Sequence, residues 1–321
     1  MANSSAHPYE DFFIPLFVSC PLRLVGGLAN GAVLATICSS KKLRSSTWLL
    51  LASLSLADLI GGVVPAAYEA ILVYYYAQAA LFHTSVLACI LYSATHFFWT
   101  RSAFDLALAI GVDRFACVVA PRFYRKKFGR IFLVAALSLS CLDSSLHVGL
   151  LFMVGKPLEK SIPLCTIPSL MTRSTQRYQQ LKTLVTTSMT ALLYFCLLVM
   201  LQARLKRARR KNVPAAKLEK TYQTQVTRTT GVILTFHVFT TFLRSVVFLA
   251  LRSHSIRAFQ VYSPYFNVLL VVNKGSNFCV LWLMVNDFRI AFYKLLKKIG
   301  IGNENPNLVF MTSSANAGPR H

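Results

Sequence analysis

The chain alternates long apolar runs with short polar breaks. A run of about 20 apolar residues matches the ~30 Å hydrocarbon core of a bilayer. Seven such runs fall at roughly 15–39, 48–72, 88–119, 131–154, 181–203, 229–251 and 264–286. The pattern predicts an all-α fold, a seven-transmembrane helix bundle over 15–286. The third and seventh runs are the most interrupted by polar residues. After them, Phe288, Ile290, Ala291, Leu295 and Leu296 alternate with Arg289, Lys294, Lys297 and Lys298. That spacing predicts an amphipathic eighth helix at 287–298, lying on the inner leaflet. Residues 1–14 read as an outer N-terminal segment. Residues 299–321 read as a disordered inner tail, with Thr312, Ser313 and Ser314 as phosphorylation candidates. No internal repeat is visible, which counts against an inverted-repeat transporter.

Composition agrees with a membrane protein. The chain is 55% hydrophobic and 14% charged, against about 25% charged in soluble domains. Its net charge of +23 suggests nucleic acid until it is placed on the topology. Lys41, Lys42 and Arg44 follow the first run. Arg122, Arg125, Lys126, Lys127 and Arg130 follow the third, and a basic series from Arg204 to Lys220 follows the fifth. These alternate connections share one side, and the positive-inside rule makes that side cytoplasmic. The N-terminus is then outside and the C-terminus inside, in a multi-pass plasma-membrane protein. Anionic inner-leaflet lipid accounts for the basic clusters, so no nucleic-acid partner is expected. The first run reads as a signal anchor in place of a cleaved signal peptide. Asn3-Ser4-Ser5 is an outer glycosylation sequon.

There are eight cysteines. Cys89 opens the third run and Cys165 lies in the outer loop 155–180, so both face an oxidising compartment. A bridge between them, or two free thiols, are the two readings. Cys38, Cys117, Cys141, Cys196 and Cys279 read as apolar packers, and Cys20 has no evident partner. No spacing resembles a metal site, no cofactor is expected, and no Ser/His/Asp constellation, phosphate loop or intramembrane protease motif points to an enzyme.

Charges inside apolar runs are costly and mark function or pairing. Asp113-Arg114-Phe115, with Pro121 beyond, closes the inner end of the third run; Arg114 is either a coupling residue or a snorkelling interfacial arginine. Asp58 and Lys274 lie in the second and seventh runs, and are either a buried pair or charges of which Lys274 points elsewhere. Arg101 and Asp105, four apart, share one helix face, with Asp143 competing for Arg101. Arg244 in the sixth run lacks an obvious partner. Lys156, Lys160, Arg173, Arg177 and Lys182 make the outer loop basic, either as an entrance for an acidic ligand or as a solvated loop.

Taken in order, several stretches resemble the rhodopsin-like G-protein-coupled receptors, and among them the nematode serpentine chemoreceptors of class sx. The stretches are Gly27-Leu28-Ala29-Asn30, Leu54-Ser55-Leu56-Ala57-Asp58-Leu59, Ala109 to Phe115 with Pro121 and Tyr124-Arg125, the Cys89 and Cys165 positions, and Asn286-Asp287-Phe288-Arg289. The resemblance implies a receptor for an extracellular ligand, coupled to a heterotrimeric G protein through Asp113, Arg114, Phe115 and Pro121 by outward movement of helix six. It gathers Asn30, Asp58, Asn273, Lys274 and Asn277 in a polar network where many relatives hold sodium, with Lys274 in place of the ion. It puts His96, Trp99, Thr100, Arg244, Tyr262 and Tyr265 at the ligand pocket, or in a packed aromatic core. His96 stands where amine receptors carry an aspartate, which argues against an amine ligand. The chain departs from the pattern in helix six, Phe236 to Phe242, and in helix seven at Asn277-Phe278-Cys279, where the proline and tyrosine are absent. An eroded receptor that does not signal, or a seven-span transporter or channel, are the alternatives.

Overall fold

The computed structural model describes residues 10–77, 84–124, 128–154, 161–162, 173–210, 222–254 and 256–301. Its helices are α1 (Glu10–Ser39), α2 (Ser46–Ala77), α3 (Val86–Val119), α4 (Gly129–Val154), α5 (Arg173–Arg210), α6 (Tyr222–His254), α7 (Ile256–Met284) and α8 (Asn286–Lys298). Single turns at Lys41–Leu43 and Pro121–Phe123 lie in the connections. The helices outrun the apolar stretches that announce them. Hydropathy marks the part facing lipid, but the i to i−4 hydrogen bonds continue wherever no Pro or Gly stops them. Thus α5 begins at Arg173, inside what the sequence reads as outer loop, and continues to Arg210.

By length and composition, five helices among the described residues can cross a membrane: those holding Phe17–Ser39, Ser46–Tyr75, Gly129–Leu150, Arg177–Ala203 and Thr227–Leu251. The other two of the seven, α3 and α7, are long enough, but they carry the interior charges Arg101, Asp105, Asp113, Arg114 and Lys274. A central helix packed against protein can carry polar groups that a lipid-facing helix cannot.

The packing is a closed ring. α1 touches α2 and α7, α2 touches α3, α5 touches α6 and α6 touches α7, with α3 also against α4 and α5. Val33, Ile37, Leu50, Leu54, Leu106, Ile110, Leu197, Leu234 and Leu281 form the apolar core. Ile131, Val134, Leu139, Leu142 and Leu146 of α4 point outward, as lipid contact requires. α1 and α7 meet backbone to backbone: a Cβ added to Gly275 would stand 3.4 Å from Gly26 Cα. Small residues permit that approach, which the bilayer cannot supply by hydrophobic force. At the ring's inner edge, α8 buries Phe288, which stacks on Trp48 of α2 with centroids 6.5 Å apart.

Outside the helices, Thr84–Ser85 pairs antiparallel with Ser161–Ile162. This strand pair ties the segment after α4 to the start of α3.

Candidate functional site

At the inner end of α3, Asp113 and Arg114 are buried, at 0% and 4% exposure. The Arg114 guanidinium grips its neighbour through Nη2 at 2.6 Å and Nε at 3.0 Å from Asp113 Oδ2. Thr47 of α2 donates to the same oxygen at 2.7 Å and accepts from Arg114 Nη2. Tyr124, just beyond the Pro121 turn, donates to Asp113 Oδ1 at 2.5 Å. Its ring also lies under the guanidinium, 5.9 Å from centroid to Cζ. Burial pushes the Tyr124 phenol up to about 12, with the Asp113 charge adding to the effect, so it remains a donor throughout the physiological range. The carboxylate thus joins α3 to α2 and to the inner connection, and the arginine is held with it. Sequence reasoning quoted Tyr124 for its resemblance alone and did not single out Thr47. Phe115 is half-buried one residue on.

Half-way up the bundle, Asp58 is buried at 5% exposure. Lys274 Nζ lies 3.5 Å from its Oδ1, and Asn277 Nδ2 donates to Oδ2 at 3.3 Å. Asn30 Nδ2 bridges two helices, donating to Gly26 O at 2.9 Å and Lys274 O at 2.8 Å. Asn273 turns the other way and meets His237 Nδ1 of α6 at 2.9 Å. A sodium ion does not fit beside Asp58, because the Lys274 ammonium already places a positive charge there. No group of His, Cys, Asp or Glu among the described residues is arranged to hold a metal ion.

Nearer the outer end, Tyr92 stacks on Tyr68 at 4.2 Å and on His96 at 6.3 Å. Trp99 sits edge-on to Phe98 at 5.1 Å. The Arg244 guanidinium covers the Phe248 ring at 4.5 Å. Tyr265 is 42% exposed, and the Tyr262 side chain, like all of Asn3 and Cys165, lies outside the described residues. Cys89 is fully buried and disulfide-bonded. Cys20, Cys38, Cys117, Cys141, Cys196 and Cys279 are free thiols.

Two ionic clusters were not legible as such. Arg23 of α1 pairs with Glu69 of α2 at 3.0 Å, and Ser19 donates to the same carboxylate at 2.8 Å. The sequence signal for it is Glu69 itself, since an acid within an apolar run needs a partner. On the far side, Arg101 does not choose between its two acids: it reaches Asp105 at 2.9 Å and Asp143 at 2.8 Å. Lys182 completes this network at 2.7 Å from Asp143. Lys182 therefore leaves the basic outer loop assigned to it from sequence; the early start of α5 places it within a helix, opposite an acid.

A model of the serpentine type seven-transmembrane G-protein-coupled chemoreceptors, Srsx, matches residues 23–296. The chain belongs to this Srsx family. The match spans α1 to α8 and includes both the Asp113–Arg114 cluster and the Asp58–Lys274 pair. As an Srsx chain, its several apolar helices and interior charges describe a membrane chemoreceptor bundle and not a transporter. No curated protein is a detectable relative.

Proposed function

We propose that this Srsx chemoreceptor sits in the plasma membrane with its N-terminus outside, binds an extracellular ligand within the outer half of the bundle, and signals to a heterotrimeric G protein. The observation that carries the reading is the donation of Arg114 to Asp113, Thr47 and Tyr124. A buried arginine held by a charge-assisted cluster at the inner end of a central helix is an element with two states. Released, it offers a donor fork to the backbone of a cytoplasmic partner. Ligand binding biases that equilibrium only as far as it favours the released bundle. In the proposed cycle, outward movement of α6 opens the groove that Arg114 floors, and Phe115 and Pro121 shape the rim. The basic connections on the same side rest on anionic lipid.

The test is G-protein activation in a heterologous cell at matched surface expression. Arg114→Ala is expected to abolish basal and ligand-driven signal. Asp113→Asn weakens a charge-assisted contact whose loss costs about 1.5–3 kcal/mol, so basal signal is expected to rise about tenfold. Unchanged signal in Arg114→Ala would remove this residue from the coupling mechanism.

A further inference from the structure

Between the Asp58–Lys274 pair and the outer end of α3, the interior holds polar atoms that the fold leaves open. The Lys274 ammonium lies over Gly61: a Cβ there would stand 3.2 Å from Nζ and 3.2 Å from Trp99 Cβ. Glycine at this position is what admits the ammonium between α2 and α3. Asp58 approaches it from one side at 3.5 Å, and Nζ makes no hydrogen bond among the described residues.

On α3, His96 Nδ1 and Thr100 Oγ1 are also buried and without a hydrogen-bond partner among the described residues. Four residues apart, they share a helix face. The same Gly61 position is 3.8 Å from the Thr100 backbone nitrogen, which puts Lys274 beside that face. Lys274 Nζ, whose one charged contact is Asp58, and the two α3 atoms are thus buried polar atoms without a hydrogen bond among the described residues, whereas native interiors satisfy nearly all of them.

The electrostatics has a sign. The charges of Arg23, Lys274 and Arg244 all act on His96, and those of Arg23 and Arg244 act on Lys274. Glu69 is engaged by Arg23 and Ser19, and Asp58 by Lys274 and Asn277.

We infer that the Lys274–Thr100–His96 cluster is the binding site for a small organic anion, a carboxylate. The inference rests on the receptor reading and supplies its ligand class. A carboxylate brings acceptors only, which complements the ammonium, the hydroxyl and one tautomer of the imidazole. A cationic amine would meet like charge, and a neutral amide would forgo the charge-assisted bonds.

The test uses the purified full-length receptor in lipid nanodiscs. Thermal unfolding is followed with a panel of short aliphatic and aromatic carboxylates, each against its primary amide and its amine. Carboxylates are expected to raise the midpoint saturably, and their amides and amines are not. Thr100→Val is expected to weaken the best carboxylate about tenfold. Lys274→Met made together with Asp58→Asn removes both charges at once, so the bundle still folds, and is expected to erase the preference for carboxylates. The inference is overturned if no carboxylate stabilises the wild type more than its amide, or if the double variant retains the preference. Because the readout needs no G protein, a failure of coupling and a failure of this ligand class give different results.

Discussion

Lys274 shows what a single residue decides here. A lysine inside an apolar helix stays charged only where a carboxylate meets it, and Asp58 does so at 3.5 Å. Removing one partner of a buried pair costs about 3–5 kcal/mol, whereas replacing both by apolar groups of similar size is often neutral. Lys274→Ala is therefore expected to lower surface expression and thermal midpoint, and Lys274→Met with Asp58→Asn to recover most of both. With the ammonium in place, exchanging sodium for potassium should leave the wild-type midpoint unchanged. A stable single alanine variant would refute the pair. Both residues were legible, since each is a charge that an apolar run must explain. Asn273 was not: it meets His237 of α6, and which of the neighbouring polar positions on α7 faces Asp58 depends on how that helix is rotated in the bundle. Arg23 and Glu69 met the same obstacle. Which faces of α1 and α2 oppose each other depends on helix rotation, and hydropathy does not report it.

Among the elements, the contact of α5 with α6 is the most exacting. Tyr194 of α5 lies over Gly231 of α6, and its hydroxyl donates to Thr227 O at 2.7 Å. A Cβ on Gly231 would stand 2.7 Å from both the ring edge and the hydroxyl of Tyr194. Gly231→Ala must then displace the Tyr194 ring and its bond to Thr227, at about 1–3 kcal/mol for an overpacked contact. The expected result is a lowered thermal midpoint that Tyr194→Ala partly restores in the double variant, because the clash needs both partners. Strictly additive effects would sink this account. Nothing in the sequence marked Gly231, whose role exists only once a tyrosine from another helix has been placed over it. The same holds for α5 as an element: its apolar centre is legible, but its polar first turns read as loop, and Lys182 with them.

At the scale of the whole molecule, the ring and its outer cover have to be fastened. The strand pair Thr84–Ser85 with Ser161–Ile162 brings the segment just before Cys165 alongside the chain just before Cys89, and Cys89 is disulfide-bonded. The partner expected from the sequence is Cys165. Peptide mapping under non-reducing conditions should recover the two linked, and Cys89→Ser should lower surface expression; finding Cys165 as a free thiol would contradict the assignment. The seven-helix order, the eighth helix and the inner Asp113–Arg114 cluster were legible because each rests on local pattern, whereas the interlocking of distant residues was not. The Gly26–Gly275 contact has a mechanical consequence. Where two helices touch through their backbones and Asn30 bonds across them, neither can slide without breaking the seam, so α1 and α7 act as one thick post, with α8 pinned to it through Phe278 and Phe288 and α2 to α8 through Trp48. In the proposed cycle, that post is the stator: all the travel that a ligand drives has to come from α5 and α6, where a tyrosine resting on a glycine can part and close again.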